Sequence, residues 1–173
     1  PIEFPAVPDP DVLFSLIAAA KDEKFSYHAG VVQSKDSFYG QHSPERMPIY
    51  TELLAKWEAY KRLGVLASEM EASTLFTVGA TLGVRCGAVF HVVWNQERAN
   101  LGLDTAENES HDTDRAIRVA IGAIKLSLLL FNSSSSFSVR TFSTAFCLIT
   151  SSFALISAIL SSLTETLMEI CFS

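Results

Sequence analysis

Two carboxylates flank a methionine in Ser68-Glu69-Met70-Glu71-Ala72-Ser73-Thr74, where a short apolar run gives way to a helical pattern. A carboxylate accepts two hydrogen bonds at once, so this pair can grip adjacent hydroxyls of a ribose while the thioether lies on its apolar face. The same residues also suit a plain helix start, where acidic side chains meet the positive end of the helix dipole. Upstream, Lys35-Asp36-Ser37-Phe38-Tyr39-Gly40-Gln41-His42-Ser43-Pro44-Glu45-Arg46 collects an aromatic pair, a carboxamide and a guanidinium. Phe38 or Tyr39 can stack on a flat heterocycle, Gln41 can donate and accept along an imide edge, and Arg46 can neutralise charge on a ring oxygen. Singly, each is ordinary loop composition, with Gly40 and Pro44 punctuating a turn. Together with Glu69-Met70-Glu71 they describe both halves of a nucleoside.

The elements that must position these groups alternate between strand and helix. Asp9 followed by Pro10 supplies a cap and a first helical position, after which Val12, Leu13, Leu16, Ile17 and Ala20 recur on one face, predicting a helix that ends near Lys24. Residues 27–34 read as a buried strand feeding the base-binding loop, the position where α/β ligands bind. Leu53, Leu54, Trp57 and Tyr60 predict a helix over 50–63 stopped by Gly64. A brief strand over 65–67 and a helix over 72–82 stopped by Gly83 follow. Residues 84–94 are nearly all apolar, as a strand covered on both faces requires. His91 within that run reads as a hydrogen-bonded interior histidine rather than a metal ligand, since no second metal-type residue accompanies it. Residues 95–110 are polar and irregular, a loop that can act as a flap, and Asp112 then caps a helix through Ile117, Ala120, Ile121 and Ile124. This alternation argues for an α/β domain with a central, largely buried sheet.

Composition sets outer limits. The 173 residues, 49% of them hydrophobic, are enough for one domain with a sizeable core. A net charge of -6 argues against an electrostatic nucleic-acid binder, which needs a basic face to displace counterions. Three cysteines, Cys86, Cys147 and Cys171, lack C-x-x-C spacing and suggest neither a disulfide framework nor a zinc site, so reduced cytosol is the expected compartment. The chain opens on Pro1 without a secretory-type leader and reads as a fragment. Beyond about Leu126 its character changes: Asn132 to Ser136 is a serine cluster, and residues 146–163 are long and apolar enough to be weighed as a short membrane span interrupted by serine and threonine.

In four motifs taken in order, Glu3-Phe4-Pro5-Ala6-Val7, Asp36-Ser37-Phe38-Tyr39, Ser68-Glu69-Met70-Glu71 and Val92-Val93-Trp94-Asn95, the chain resembles the nucleoside phosphorylase family, and within it the uridine-cleaving branch. The resemblance spans residues 1–130 and covers the family's carboxyl-terminal half. The half that carries the phosphate-binding glycine and arginines is not matched, and residues 131–173 form a Ser-rich apolar tail outside the family pattern, an extension such as a frame shift or a retained non-coding stretch would produce.

The resemblance implies a three-layer αβα fold with a central mixed sheet, incomplete at the N-terminus. It also implies reversible phosphorolysis of uridine to uracil and ribose 1-phosphate, with inorganic phosphate as co-substrate and no cofactor or metal. Carried over by motif, Arg46 and Gln41 become the base-recognition pair, Phe38 the aromatic on the base, Glu71 the ribose carboxylate with Glu69 beside it, and Met70 the group packed on the sugar. Val93 and Trp94 become a wall of the base pocket. Arg98 stands three residues beyond Asn95, where the family often has arginine directly after the asparagine. Purine-specific relatives place an aspartate near Asn95 to assist a purine nitrogen; without it the pattern favours a pyrimidine leaving as a stabilised anion. The family's oligomers complete each ribose site from a neighbouring subunit, so a homo-oligomer is expected, with no nucleic-acid partner and membrane contact confined to the tail. The alternatives are a catalytically incomplete nucleoside-binding remnant, and a purine nucleoside phosphorylase or nucleosidase.

Overall fold

The computed structural model describes residues 4–103 and 110–133. The first helix, α1 (Pro10–Asp22), is capped as its sequence dictates: Asp9 Oδ1 accepts from the backbone N–H groups of Asp11 at 3.0 Å and Val12 at 3.1 Å, and Pro10 occupies a first-turn position that needs no hydrogen bond. Lys24, at φ +58°, turns the chain out of the helix while Phe25 N–H returns to the Ala20 carbonyl. α1 packs along α6 (Asp114–Ser133), burying Val12, Leu16, Ala19 and Ala20 against Val119 and Ala123. Small residues set the close approach, Ala120 and Ala123 being fully buried. Ser15 donates to the Asp11 carbonyl and accepts from the Ser127 hydroxyl at 3.0 Å, which satisfies a buried polar pair inside this seam. At the far end Arg118 pairs with Glu23 and lies over the Phe25 ring.

Two strands form the described sheet, β1 (Val32–Ser34) and β2 (Ala67–Glu69), parallel and in register Val32 to Ala67, Gln33 to Ser68 and Ser34 to Glu69. Between them run α2 (Phe38–His42), a 3-10 turn (Pro44–Arg46) and α3 (Tyr50–Arg62). Gly64, at φ +73°, closes α3, and α4 (Ala72–Leu82) ends on Gly83 at φ +66°, both left-handed stops as expected. A last short helix, α5 (Gln96–Asn100), is capped by Asn95, whose side chain accepts from Arg98 N–H.

Several expected boundaries are corrected. The strand expected over 27–34 is confined to its last three residues, and Val31 is exposed, because β1 has one ladder partner and no described element covers its other side. The strand expected over 65–67 falls two residues later, so Ser68 and Glu69 lie within it. The expected base-binding loop is largely helical, since Ser37 caps α2 through Gly40 N–H and Pro44 starts the 3-10 turn. Residues 84–94 belong to no helix or sheet among the described residues. Their backbone groups bond locally or to loops instead: Val84 N–H to Gly79, and the Cys86 and Val93 carbonyls to Asp9 and Ser110 N–H. An apolar run supplies burial but cannot create a ladder partner. The loop expected over 95–110 contains α5. The Asp112 cap stands one position outside the helix, accepting from Asp114 N–H, and α6 continues past residue 130 to Ser133. Residues 146–163 lie outside the described residues; among those described, no helix is long and apolar enough to cross a membrane.

Gly87 lies against α1, where an added methyl would collide with the Val12 side chain and press on Leu16. Gly87→Ala is therefore expected to lower stability by about 1–3 kcal/mol through overpacking. Chemical denaturation checks this, and an unchanged midpoint would contradict the packing described.

Candidate functional site

The parallel pairing of β1 and β2 brings the two motif clusters together. Register partners on adjacent strands share a face, so Ser34 and Glu69 meet across the ladder. The Ser34 hydroxyl donates to Glu69 Oε1 and in turn accepts from Ser73 N–H at 3.0 Å. Glu69 Oε2 accepts from Glu71 N–H and Ala72 N–H, each at 2.7 Å. Glu69 thus does for α4 what a cap residue does, although the nominal cap position, Glu71, makes no such bond. Glu71 is exposed, its carboxylate accepting only a long contact from Met70 N–H at 3.3 Å, and Met70 is 40% exposed beside it. Of the acidic pair, Glu71 presents its carboxylate outward and Glu69 spends both oxygens on the scaffold.

From the other side, Ser68 donates its hydroxyl to Gln41 Oε1 at 2.7 Å. That bond joins the aromatic-amide segment to the Glu-Met-Glu segment. It also fixes the carboxamide: with its oxygen engaged, Gln41 offers its NH₂ group as donor.

Around α2 the rings assemble on His42. Its imidazole lies 4.1 Å from the Phe38 ring, centroid to centroid, and meets Trp94 edge-on at 5.2 Å. Lys35 Nζ stands 3.2 Å from His42 Nε2 and 5.4 Å from the centre of the Phe38 ring. Gln96 Oε1 lies 2.5 Å from His42 Nδ1. The chemistry of these neighbours fixes the tautomer. A lysine ammonium only donates, so Nε2 must accept; a carboxamide oxygen only accepts, so Nδ1 must carry the proton. Burial accordingly holds His42 below its ordinary pKa, with Lys35 charge acting the same way and the Gln96 bond opposing. Burial also lowers Lys35, against the attraction of Glu69.

The remaining expected residues are placed as follows. The Arg46 guanidinium lies over the Tyr39 ring at 5.8 Å, one aromatic further out than Lys35. Val93 and Trp94 are exposed, with Trp94 against His42, while Arg98 is exposed on α5. Phe38 and Trp94 share one contact network with Lys35 and His42, Gln41 stands beside His42 on α2 and bonds Ser68, and Lys35 is drawn toward Glu69. Arg46 reaches the network through Tyr39, whose ring meets Phe38 edge-on at 5.5 Å. His91 is hydrogen-bonded as expected, 2.9 Å from the Ser110 carbonyl. Sequence reasoning assigned no role to Lys35, His42 or Gln96. The signal available was a histidine and a lysine seven residues apart, bracketing an aromatic, which becomes informative only once α2 is known to be helical.

The chain belongs to the phosphorylase superfamily, whose sequence profile matches residues 1–129. Among curated relatives it is 51% identical over 126 residues to a uridine phosphorylase of Treponema pallidum, covering 73% of this chain and 48% of that protein. It is 34% identical over 131 residues to the uridine phosphorylase of Escherichia coli, covering 72% and 50%, and 33% identical over 128 residues to a guanosine phosphorylase of Halorubrum lacusprofundi, covering 71% and 48%. The chain spans about half the length of these relatives.

Two outcomes are expected from this geometry. Glu69→Ala removes the acceptor of two helix N–H groups and lowers stability by about 1–2 kcal/mol, whereas Glu71→Ala changes it by less than about 0.5 kcal/mol; thermal denaturation of both variants checks this. In nitrogen-15 NMR at pH 7.5, His42 is expected in the Nδ1–H form, with a titration midpoint below the ordinary value of about 6.5. The folded value being the lower, the unfolded chain takes up the proton first. Stability from this group is therefore complete above about pH 6.5 and is lost as pH falls through the folded value. A midpoint at or above the ordinary value contradicts the assignment.

Proposed function

We propose that the chain is the nucleoside-binding part of a uridine phosphorylase, acting on uridine with inorganic phosphate. In the reaction a phosphate oxygen forms a bond to the anomeric carbon, the bond from that carbon to the pyrimidine nitrogen breaks, and the electron pair leaves with uracil. Charge therefore develops in two places: positive on the ribose ring and negative on the carbonyl oxygens of the departing base. Groups that meet this charge only as it forms accelerate the reaction.

The observation that carries the reading is the Ser68 to Gln41 hydrogen bond. It sets a sugar-type segment and a base-type segment side by side. With its oxygen engaged, the Gln41 carboxamide has its NH₂ as the donor for a carbonyl oxygen of the base. Lys35, held over the Phe38 face, adds a full positive charge where a base stacked on that ring would carry its oxygens. Both are donors, which suits a pyrimidine anion better than a purine nitrogen that wants a proton. Glu71 takes the ribose hydroxyls, Met70 lies on the sugar, and Val93 with Trp94 walls the base. Arg46 bears on the base through Tyr39, and Arg98 is a further cation on α5.

The same reading places β1, β2 and their helices in a three-layer αβα domain with a mixed sheet, formed by residues 1–130, in a cytoplasmic homo-oligomer that needs phosphate but no cofactor.

Uracil release from uridine, with and without phosphate, by the longest gene product containing this chain is the test. Phosphate-dependent release is expected, with Lys35→Met lowering kcat by about 100-fold or more, as loss of a charge-stabilising donor does. Arg46→Ala is expected to cause the smaller loss. Release that ignores phosphate would make the protein a hydrolase, and a larger loss at Arg46 would move the base oxygens toward Tyr39.

A further inference from the structure

The short helix α5 has too few residues to hold itself by its own backbone bonds, so something outside it must fix its place. Glu97 does so. Its Oε1 accepts from the Trp57 indole N–H at 2.6 Å, and its Oε2 from Lys61 Nζ at 3.0 Å; Trp57 and Lys61 are one turn apart on α3. Those two donors hold the Glu97 carboxyl below its usual range, so it is charged at neutral pH. The adjacent residue, Gln96, points the other way and reaches His42 on α2. Two residues earlier, Trp94 touches the same imidazole. Removing Glu97 takes away both side-chain bonds that tie α5 to α3 through Trp57 and Lys61. The contact between Gln96 and His42 depends on where α5 lies, and so does the tautomer that lets His42 Nε2 accept from Lys35.

We propose that Glu97 is a positioning residue for nucleoside binding, clamping α5 to α3 so that Gln96 orients His42 and His42 holds Lys35 over the base-stacking ring. The mechanism rests on the uridine phosphorylase reading for its substrate, but the clamp itself is a property of this chain. Glu97 touches none of Phe38, Gln41, Glu71 or Lys35, and it acts only through its neighbour. The charged groups that face it are Lys61, which it pairs with, and Glu58, which shares the same lysine from α3.

Glu97→Ala and Glu97→Gln, each examined by nitrogen-15 NMR of His42 and by uridine kinetics on the longest gene product, test this. Glu97→Ala is expected to abolish the exclusive Nδ1–H form of His42 and to raise KM for uridine roughly fivefold, with kcat within about twofold, the loss expected of one positioning hydrogen bond. Glu97→Gln retains an acceptor for Trp57 and is expected to restore the tautomer and most of the KM. In a Gln96→Ala background, Glu97→Ala is expected to add nothing further, since both would act on the same contact. An unmoved tautomer in Glu97→Ala, with only a lower melting temperature, would make Glu97 structural and overturn the proposal. Should uridine not be a substrate at all, the tautomer still reports on the clamp, so the two ideas fail separately.

Discussion

One carboxylate decides how the described half of the site is built. Glu69 ends β2, receives the Ser34 hydroxyl from β1 and accepts the first N–H groups of α4. A helix start leaves donors that must find partners, and an anion there is favoured by the dipole as well. By meeting both needs with a side chain from the strand itself, the chain fixes the angle at which the strand passes into the helix. Everything presented from that corner, Met70 and Glu71 above all, inherits its direction from this arrangement. The same charge attracts Lys35 across the strand ends, which ties the sugar-type corner electrostatically to the base-type segment.

The base-type segment is organised around a neutral histidine rather than around an arginine. An imidazole between a lysine and a carboxamide has one arrangement of protons that satisfies all three groups, and a proton added to it would face the ammonium at 3.2 Å. The lysine is thereby kept close to an aromatic face, with no carboxylate among the described residues in salt-bridge contact with it. A cation left partly unmatched is unfavourable in the resting protein, but it is what a departing anion needs. The site stores its electrostatic bias in the relation of Lys35 to His42.

Much of this was legible in the sequence, and the parts that were not share a cause. Helix ends written in local chemistry were read correctly: Asp9-Pro10 at the start of α1, Gly64 after α3 and Gly83 after α4. The structure adds one link between the two clusters, the Ser68 hydroxyl donating to Gln41 Oε1. The strand expected over 84–94 failed because apolar content reports burial, whereas a strand also needs a partner backbone, which no single segment specifies. Glu69 was assigned to the sugar because its type and spacing match that role as well as they match capping; only the register of β1 against β2 shows that its oxygens are already taken. His42 and Gln96 are 54 residues apart, and nothing in either local sequence announces the contact.

Which nucleoside such a corner favours follows from its inventory of donors. A purine leaving from ribose is helped by an acid that protonates a ring nitrogen; at the end of the 84–94 run stands Asn95, an amide that caps α5 by accepting from Arg98 N–H. A pyrimidine leaving as its anion needs no proton at the moment of departure; it needs donors on its carbonyl oxygens. The fixed NH₂ of Gln41 and the ammonium of Lys35 are both of that kind, and neither can act as an acceptor toward the base. On the proposed reading, a 6-oxopurine would find the same donors for its carbonyl oxygen, but at Asn95 an amide in place of an acid that could protonate its ring nitrogen. On that reading, selectivity for uridine arises at the transition state rather than in binding, since an amide and an ammonium beside an aromatic ring hold many flat heterocycles yet stabilise best the departure of those whose charge collects on exposed oxygens.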